Sequence, residues 1–362
     1  MQNKIKKIKV EYKMKKLLLW SLIIVISFSI VVIFLFPGCK TISPETTKTA
    51  KPYTIALIAK LSGIPFFIAA EKGAQEAADE LGDKLIFQSP ENPSAEDQIK
   101  IIDSFITQKV DGIAISADDL DALVPVCKKA LDAGIKVISW DSGIAKEGTL
   151  AFIAPADDEE VGRMQIRELA EQINYEGEFA ILSTTPETAN QNLWIKWMKE
   201  ELKDPKYAKM ELVSIVYGND QSEKNYQELV GLLKTYPNLK GIISPTSSGP
   251  PSTSQVLEDQ KLNGKIAVVG LALPSAMKDY ILNGTCKKVW IWNPIDFGYI
   301  SLYTTHLLIS GELKVKVGEE FTVGRLGTRK FVVDDPSLGP TIILGPPLEI
   351  NKDNVEELAK IF

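Results

Sequence analysis

Residues 54–88 read TIALIAKLSGIPFFIAAEKGAQEAADELGDKLIFQ, and the spacing of apolar residues within them sets the fold. Thr54–Ala59 is a short β-rich apolar run, Ile64–Leu81 carries its apolar residues at helical spacing, and Lys84–Gln88 is again of strand length. The pattern continues with strands at Gly112–Ser116 and Lys136–Trp140 and amphipathic helices at Ser94–Gln108 and Leu120–Ala133. Strand-length runs separated by helical periods indicate βαβ units and a parallel sheet covered on both faces. Ser94-x-x-Asp97 opens its helix with a capping signature, and Gly134 closes the helix that leads into KVISW.

Phe152–Pro155 reads as a crossover strand, after which the alternation restarts. Strands are expected at Glu178–Ser183, Leu212–Tyr217, Gly241–Pro245, Ala267–Leu271 and Lys288–Trp292. Helices are expected at Asp157–Ile173, Glu187–Leu202, Asp220–Tyr236, Ser252–Asp259 and Pro274–Leu282, then Gly298–Ile309, with a β-rich tail over Lys330–Glu349. The fold class is therefore α/β, with two doubly wound, Rossmann-like parallel-sheet lobes. A tail returning to both lobes would make their hinge multi-stranded. The expected division is 52–154 with about 294–326 in the N-terminal lobe, and 155–293 with about 327–362 in the C-terminal lobe. At 362 residues the chain is longer than one core usually serves, which agrees.

Ahead of the body, Lys15-Lys16, an apolar run over Leu17–Phe36 and Pro37-Gly38-Cys39 read as a bacterial lipoprotein export signal over 1–38. Cleavage before Cys39 would leave its thiol for lipidation. An uncleaved transmembrane anchor is the other reading, because the run is long enough to span and Pro37 is unusual in a lipobox. Both readings place the body outside the cytoplasmic membrane. Met14 also offers a second start, and Thr-rich residues 39–51 suit a flexible tether. The net charge is −6, but residues 1–38 hold seven Lys against one Glu, so the remainder carries −12. An acidic body argues against nucleic acid as a partner. With one histidine, His306, there is little material for imidazole chemistry or His-rich metal sites. Cys127 and Cys286 fall in opposite lobes and read as buried small apolar residues rather than a bridge.

Open parallel sheets bind ligands beyond the carboxyl ends of their strands. The residues there are Lys60, Ala117-Asp118-Asp119 and Asp141 in the first half, and Thr184-Thr185-Pro186, Pro245-Thr246-Ser247 and Asn293 in the second. Phe66, Phe67, Trp140, Trp194 and Trp292 fall near the same edge, whereas Trp197 reads as helix-face packing. Hydrogen-bonding groups interleaved with aromatics suit a small polyhydroxylated ligand: each buried hydroxyl needs partners, and the ligand's C–H faces need apolar walls. The sequence has no Gly-x-Ser-x-Gly elbow, no phosphate-cradling glycine loop after the first strand, and no Cys/His cluster. Asp118, Asp119 and Asp121 lack a distal Glu at loop spacing and read as helix-capping groups. A binding protein is expected rather than an enzyme, with no cofactor and no metal.

The segments IAKLSGIPFFIAAEKGAQEAADELG (58–82), ISWDSG (138–143), STTPETANQNLWIKWM (183–198), IISP (242–245) and VWIWN (289–293) resemble the type I periplasmic-binding proteins. Within them the body is most similar to the autoinducer-2- and rhamnose-binding receptors of ABC transporters. The resemblance implies a pocket of Lys60, Asp141, Asn190, Gln191, Pro245 and Ser247, to which the strand-end reading adds Phe66, Phe67, Trp292 and Asn293. Lys60, Asp141, Gln191 and Pro245 keep the residues of the autoinducer-2 receptors. Asn190 and Asn293 stand where Asp is usual, and Ser247 where Ala is. The resemblance implies a monomeric, membrane-tethered receptor that closes two lobes on autoinducer-2 or a related sugar and docks on an ABC permease. Rhamnose, another deoxyhexose or a pentose is the competing ligand. A sensing subunit of a membrane kinase or chemoreceptor would share this pocket. A sugar-responsive transcription regulator would need an N-terminal helix-turn-helix where this chain has an export signal.

Overall fold

A computed structural model describes residues 52–362; the expected export signal, Cys39 and the tether lie outside the described residues. The first lobe runs β1 (Thr54–Ile58), α1 (Pro65–Leu81), β2 (Lys84–Gln88), α2 (Ala95–Gln108), β3 (Gly112–Ile115), α3 (Val124–Asp132), β4 (Lys136–Trp140) and β5 (Phe152–Ala154). The second runs α4 (Asp158–Gln172), β6 (Glu176–Ser183), α5 (Ala189–Glu201), β7 (Lys209–Tyr217), α6 (Ser222–Thr235), β8 (Leu239–Ser244), α7 (Gly249–Asp259), β9 (Ala267–Gly270), α8 (Pro274–Leu282) and β10 (Lys288–Ile291). Then follow α9 (Pro294–Ser310), β11 (Glu320–Val323), β12 (Gly327–Lys330), β13 (Val333–Asp335), β14 (Gly339–Ile343), β15 (Leu348–Asn351) and α10 (Val355–Leu358).

The strands of β1 show why the first sheet is wound on both sides. Successive side chains point to opposite faces, so Ile55 and Leu57 enter the core shared with α1 and α9, while Ala56 and Ile58 enter the core shared with α2 and α3. All four are fully buried, each large one contributing about 1.5–3 kcal/mol. The sheet order is β13-β14-β5-β4-β3-β1-β2, parallel except for the β13–β14 hairpin. The second sheet is β7-β6-β8-β9, all parallel, and the antiparallel pair β10–β15 adjoins it through a bridge from Leu271 to Trp290. The chain thus passes between lobes after β5, after β10 and after β14, a three-segment hinge.

Several boundaries differ from the sequence reading for identifiable reasons. Helix α9 starts at Pro294, not 298, because Asn293 accepts the N–H groups of Ile295 and Asp296 and proline fits the first helical position. Helix α3 starts at Val124, not 120, because Asp119 holds the N–H groups of Asp121 and Ala122 in a turn. The tail from about 327 does not go to the second lobe as one piece. Strands β13 and β14 complete the open edge of β5 in the first sheet, and only β15 joins the second. The β11–β12 hairpin, absent from the sequence reading, is clamped onto α1 and α9 by Arg325, which pairs with Glu76 and Asp296. Cys127 and Cys286 are free and buried, and burial pushes both thiols up to about 12.

Helices α1 and α9 touch backbone to backbone. A methyl on Gly73 would overlap the Ile295 carbonyl, and one on Gly298 the Ala70 carbonyl. Across α4 and α5, Glu201 accepts from Arg163 (3.0 Å), Arg167 (3.2 Å) and Tyr207 (2.7 Å). Burial alone would raise its carboxyl, but these donors outweigh it and hold the group down at about 2. Gly298→Ala is expected to cost about 1–3 kcal/mol or more, read as a lower urea midpoint at constant slope. Glu201 contributes stability above its unfolded value of 4.5, and that contribution fades as pH falls from 4.5 toward 2. Glu201→Gln should therefore lower the urea midpoint at neutral pH and shrink the difference between wild type and variant near pH 3.

Candidate functional site

The carboxyl ends of both sheets face one another, and the side chains beyond them enclose a cavity of about 40 Å³. Of the ten residues expected there, Lys60, Phe66, Phe67, Asp141, Asn190, Gln191, Pro245, Ser247 and Trp292 line it together. Asn293 does not; its amide is spent capping α9 and bonding Asp296.

The first-lobe wall is built on an ion pair. Lys60, just past β1, places Nζ 3.0 Å from Asp141 Oδ2, just past β4, and both side chains are about 95% removed from water. Between those strands, β3 leads to Ser116, whose hydroxyl donates to the same carboxylate oxygen at 2.7 Å. Asp141 has left-handed backbone, φ 61°, pinned by its N–H to Ile153 O and by Ser142 N–H to Trp140 O. For a non-glycine residue this conformation costs on the order of 1 kcal/mol and persists where surrounding bonds impose it. Here it aims the carboxylate at the lysine. Asp118 sits nearby, one oxygen accepting Ser94 N–H and the other buried without a partner. Burial pushes its carboxyl up to about 7, Lys60 opposes that rise and Asp220 adds to it. Neither Asp118 nor Asp121 caps a helix as the sequence reading had it, and α3 has no side-chain cap; Asp119 instead holds the turn ahead of α3.

The second-lobe wall comes from the first turn of α5 and the loops after β7 and β8. Gln191 is locked: Oε1 accepts Ser183 Oγ (2.6 Å) and Thr184 N–H (2.8 Å), and Nε2 donates to Thr184 Oγ1 (2.8 Å). One amide hydrogen remains for the cavity. Asn190 spans the lobes, donating to Asp141 O and Oδ1 (both 3.4 Å) and accepting from Lys60 Nζ (3.5 Å). These contacts are long and weak. The amide also has a local logic, since a carboxylate at 190 would face Asp141 with like charge. At the lip, Gln221 Nε2 donates to Asn92 Oδ1 at 3.0 Å, a second link between lobes.

Aromatic rings pack edge-to-face around these groups: Phe66 with Phe67 and Trp292, Phe67 with Trp140, Trp140 with Phe297, and Trp292 with Trp194, at centroid distances of 5.4–6.2 Å. Trp194 is fixed by donating to Asp158 at 2.6 Å. Trp197 packs between α4 and α5 under the Arg163 guanidinium, 5.0 Å from its ring. The cavity also takes Asp220, Thr246, Leu271 and Ile291. Of these, Asp220 was missed: it lies just past strand β7, but the sequence reading spent it on the start of the following helix. A larger cavity of about 590 Å³ lies on the hinge side against β5, β14 and the β13–β14 turn, sharing Asn190 with the first. The strand-end groups of both sheets converge only on the smaller one. Among the described residues, no cluster of His, Cys, Asp and Glu is suited to hold a metal.

Comparison with known proteins agrees with this architecture. The chain is 28% identical over 252 residues to the D-ribose/D-allose-binding protein of Pseudomonas aeruginosa, covering 67% of this chain and 78% of that one. It is 33% identical to an ABC transporter solute-binding protein of Clostridium phytofermentas solved with bound L-rhamnose, with TM-score 0.84, covering 86% of this chain and all of that one. LsrB of Clostridium saccharobutylicum, solved with AI-2, shares the fold at TM-score 0.79 and 23% identity, over 84% of this chain and 99% of that one. The profile of the periplasmic binding protein domain matches residues 55–313, and the chain belongs to that family.

Proposed function

We propose that this protein is the extracytoplasmic sugar-binding receptor of an ABC importer, tethered through Cys39, acting as a monomer and handing its ligand to a membrane permease without chemical turnover. The observation that carries the reading is the single cavity in which Lys60 and Asp141 of one lobe meet Asn190 and Gln191 of the other. A cavity of about 40 Å³ is little larger than one water. A sugar there therefore bridges the lobes, whose bodies divide near residues 154 and 293, with the two walls further apart than in this structure. It replaces the long Asn190 contacts with bonds to its own hydroxyls and so binds the closed form better. Moving an equilibrium from one in a hundred closed to nearly all closed takes about 5.5 kcal/mol of differential affinity, a few well-paired hydroxyls at about 1–3 kcal/mol each.

The ligand we favour is L-rhamnose or another deoxyhexose. Support comes from the 33% identical rhamnose-bound relative and from the amide at 190, which offers a donor beside Asp141. Autoinducer-2 is the second reading, favoured by Lys60, Asp141, Gln191 and Pro245, the four positions at which the resemblance to its receptors is unbroken. Calorimetric titration of the purified protein with L-rhamnose, D-ribose, D-xylose, D-arabinose and autoinducer-2 separates them. L-rhamnose is expected to bind with Kd on the order of micromolar or tighter and autoinducer-2 more weakly. Asp141→Asn keeps the left-handed backbone accessible but removes the charge, and should weaken binding by about 10–100-fold while unfolding stays cooperative. Failure of all five sugars to bind below millimolar concentration would defeat the receptor reading.

A further inference from the structure

We propose that Asp220 is a ligand-recognising carboxylate of this cleft, the second lobe's acceptor for sugar hydroxyls, and that it makes the site select neutral sugars over anionic ones. The proposal rests on the sugar-receptor reading above and adds to it a residue and a ligand class.

Among the described residues, Asp220 supplies the only carboxylate that the second lobe brings to the cavity lining. Beside the Ser247 hydroxyl, the other side-chain acceptors on that wall are already committed. Gln191 Oε1 accepts two hydrogen bonds, Asn190 Oδ1 accepts from Gln191 N–H and Lys60, and Thr246 Oγ1 accepts from Gly249 N–H. Asp220 is braced from behind instead. Ser248 Oγ donates to its Oδ1 at 2.7 Å and Thr184 Oγ1 to its Oδ2 at 2.9 Å, leaving an acceptor position open on each oxygen. Thr184 Oγ1 itself receives Gln191 Nε2, so a chain of donors runs from Gln191 through Thr184 to the carboxylate, each bond polarising the next. Asn219 and Asp220 both adopt left-handed backbone, φ 55° and 53°. The turn is pinned by Gly218 N–H to Ser183 O (2.9 Å) and Asn219 N–H to Thr184 O (2.8 Å). Gln221 N–H closes the turn onto Gly218 O at 3.0 Å, so two consecutive non-glycine residues in that conformation hold one side chain in place.

Charge then sets the ligand class. Asp141 is matched by Lys60, whereas Asp220 receives only neutral hydroxyls and has Asp118 in its field from the other lobe. A hydroxyl-rich neutral ligand gives this side of the cleft the donors it lacks. A uronate or a sugar phosphate brings a further negative charge beside Asp220 and is repelled.

The test uses the full chain, wild type and Asp220→Asn, titrated with L-rhamnose, D-ribose and D-galacturonate. The asparagine keeps acceptance from one hydroxyl and removes the charge. Wild type is expected to bind a neutral sugar and reject galacturonate. Asp220→Asn should bind that neutral sugar at least about 10-fold more weakly and narrow the neutral-to-galacturonate ratio, a change that a purely structural role would not produce. Ser248→Ala, which removes one brace, should weaken the neutral sugar by a smaller factor, about 3–5-fold, and supplies the answer if the asparagine variant does not fold. Unchanged affinity and unchanged selectivity in the variants, with sugar binding by wild type, overturn the assignment of Asp220 and leave the receptor reading standing. Absence of sugar binding by wild type overturns both.

Discussion

An ammonium and a carboxylate 3.0 Å apart, both almost wholly removed from water, anchor the cleft. Burying two charges costs several kcal/mol each, and their attraction offsets that only with good geometry and further hydrogen bonds. The fold meets both conditions by using three strands of one sheet. β1 carries Lys60, β4 carries Asp141, and β3 between them delivers the Ser116 hydroxyl. The pair needs the sheet's order to exist. In turn it presents a polar, pre-oriented surface where a strand edge would otherwise end in solvent. Such an arrangement favours orientation over raw stability, which is what a ligand wall requires.

Contact strengths on the two walls differ from those between them. Within each lobe the polar groups are held at 2.6–3.0 Å, as in Ser183 to Gln191 and Lys60 to Asp141. Between lobes, Asn190 reaches Asp141 and Lys60 at 3.4–3.5 Å, and the lip is tied by one exposed amide pair. In the proposed closure, rigid walls with loose mutual contact are what lets a small ligand bias the balance between open and closed forms. The three hinge segments limit the path of that motion, because the β14 segment is bonded into the first sheet and the next one, β15, into the second.

Much of this was readable from residue patterns. Both β/α alternations, the Ser94 cap and seven of the ten expected pocket residues follow from period, capping chemistry and the strand-end rule, whereas Asn190 and Gln191 came from the family resemblance alone. The failures share a cause: one residue type can satisfy two local demands. Asn293 stands at a strand end, as a ligand group would, and before Pro294, as a cap would; the cap prevails because two backbone N–H groups lie within 2.9 and 3.3 Å of its oxygen. Asp220 was hidden in the opposite sense, since a Gly-Asn-Asp turn ahead of a helix looks like ordinary capping. The β11–β12 hairpin and the split course of the tail were not legible because their partners, α1, α9 and β5, are remote in sequence. Short strands of mixed polarity do not announce which edge they will join.

The close packing of α1 on α9 also bears on how the chain acquires its shape. The Tyr299 hydroxyl meets Glu80 across 219 residues of sequence, and the glycine contacts beside it tie equally distant positions. Loop closure over such a span must be met before those contacts return any energy, so folding dominated by them is slow. One face of the first sheet stays only partly covered, by α1, until α9 is available, whereas the second lobe's four-stranded sheet is complete within one continuous stretch. The first lobe therefore completes its packing only once α9 has been made, later than the sheet of the second.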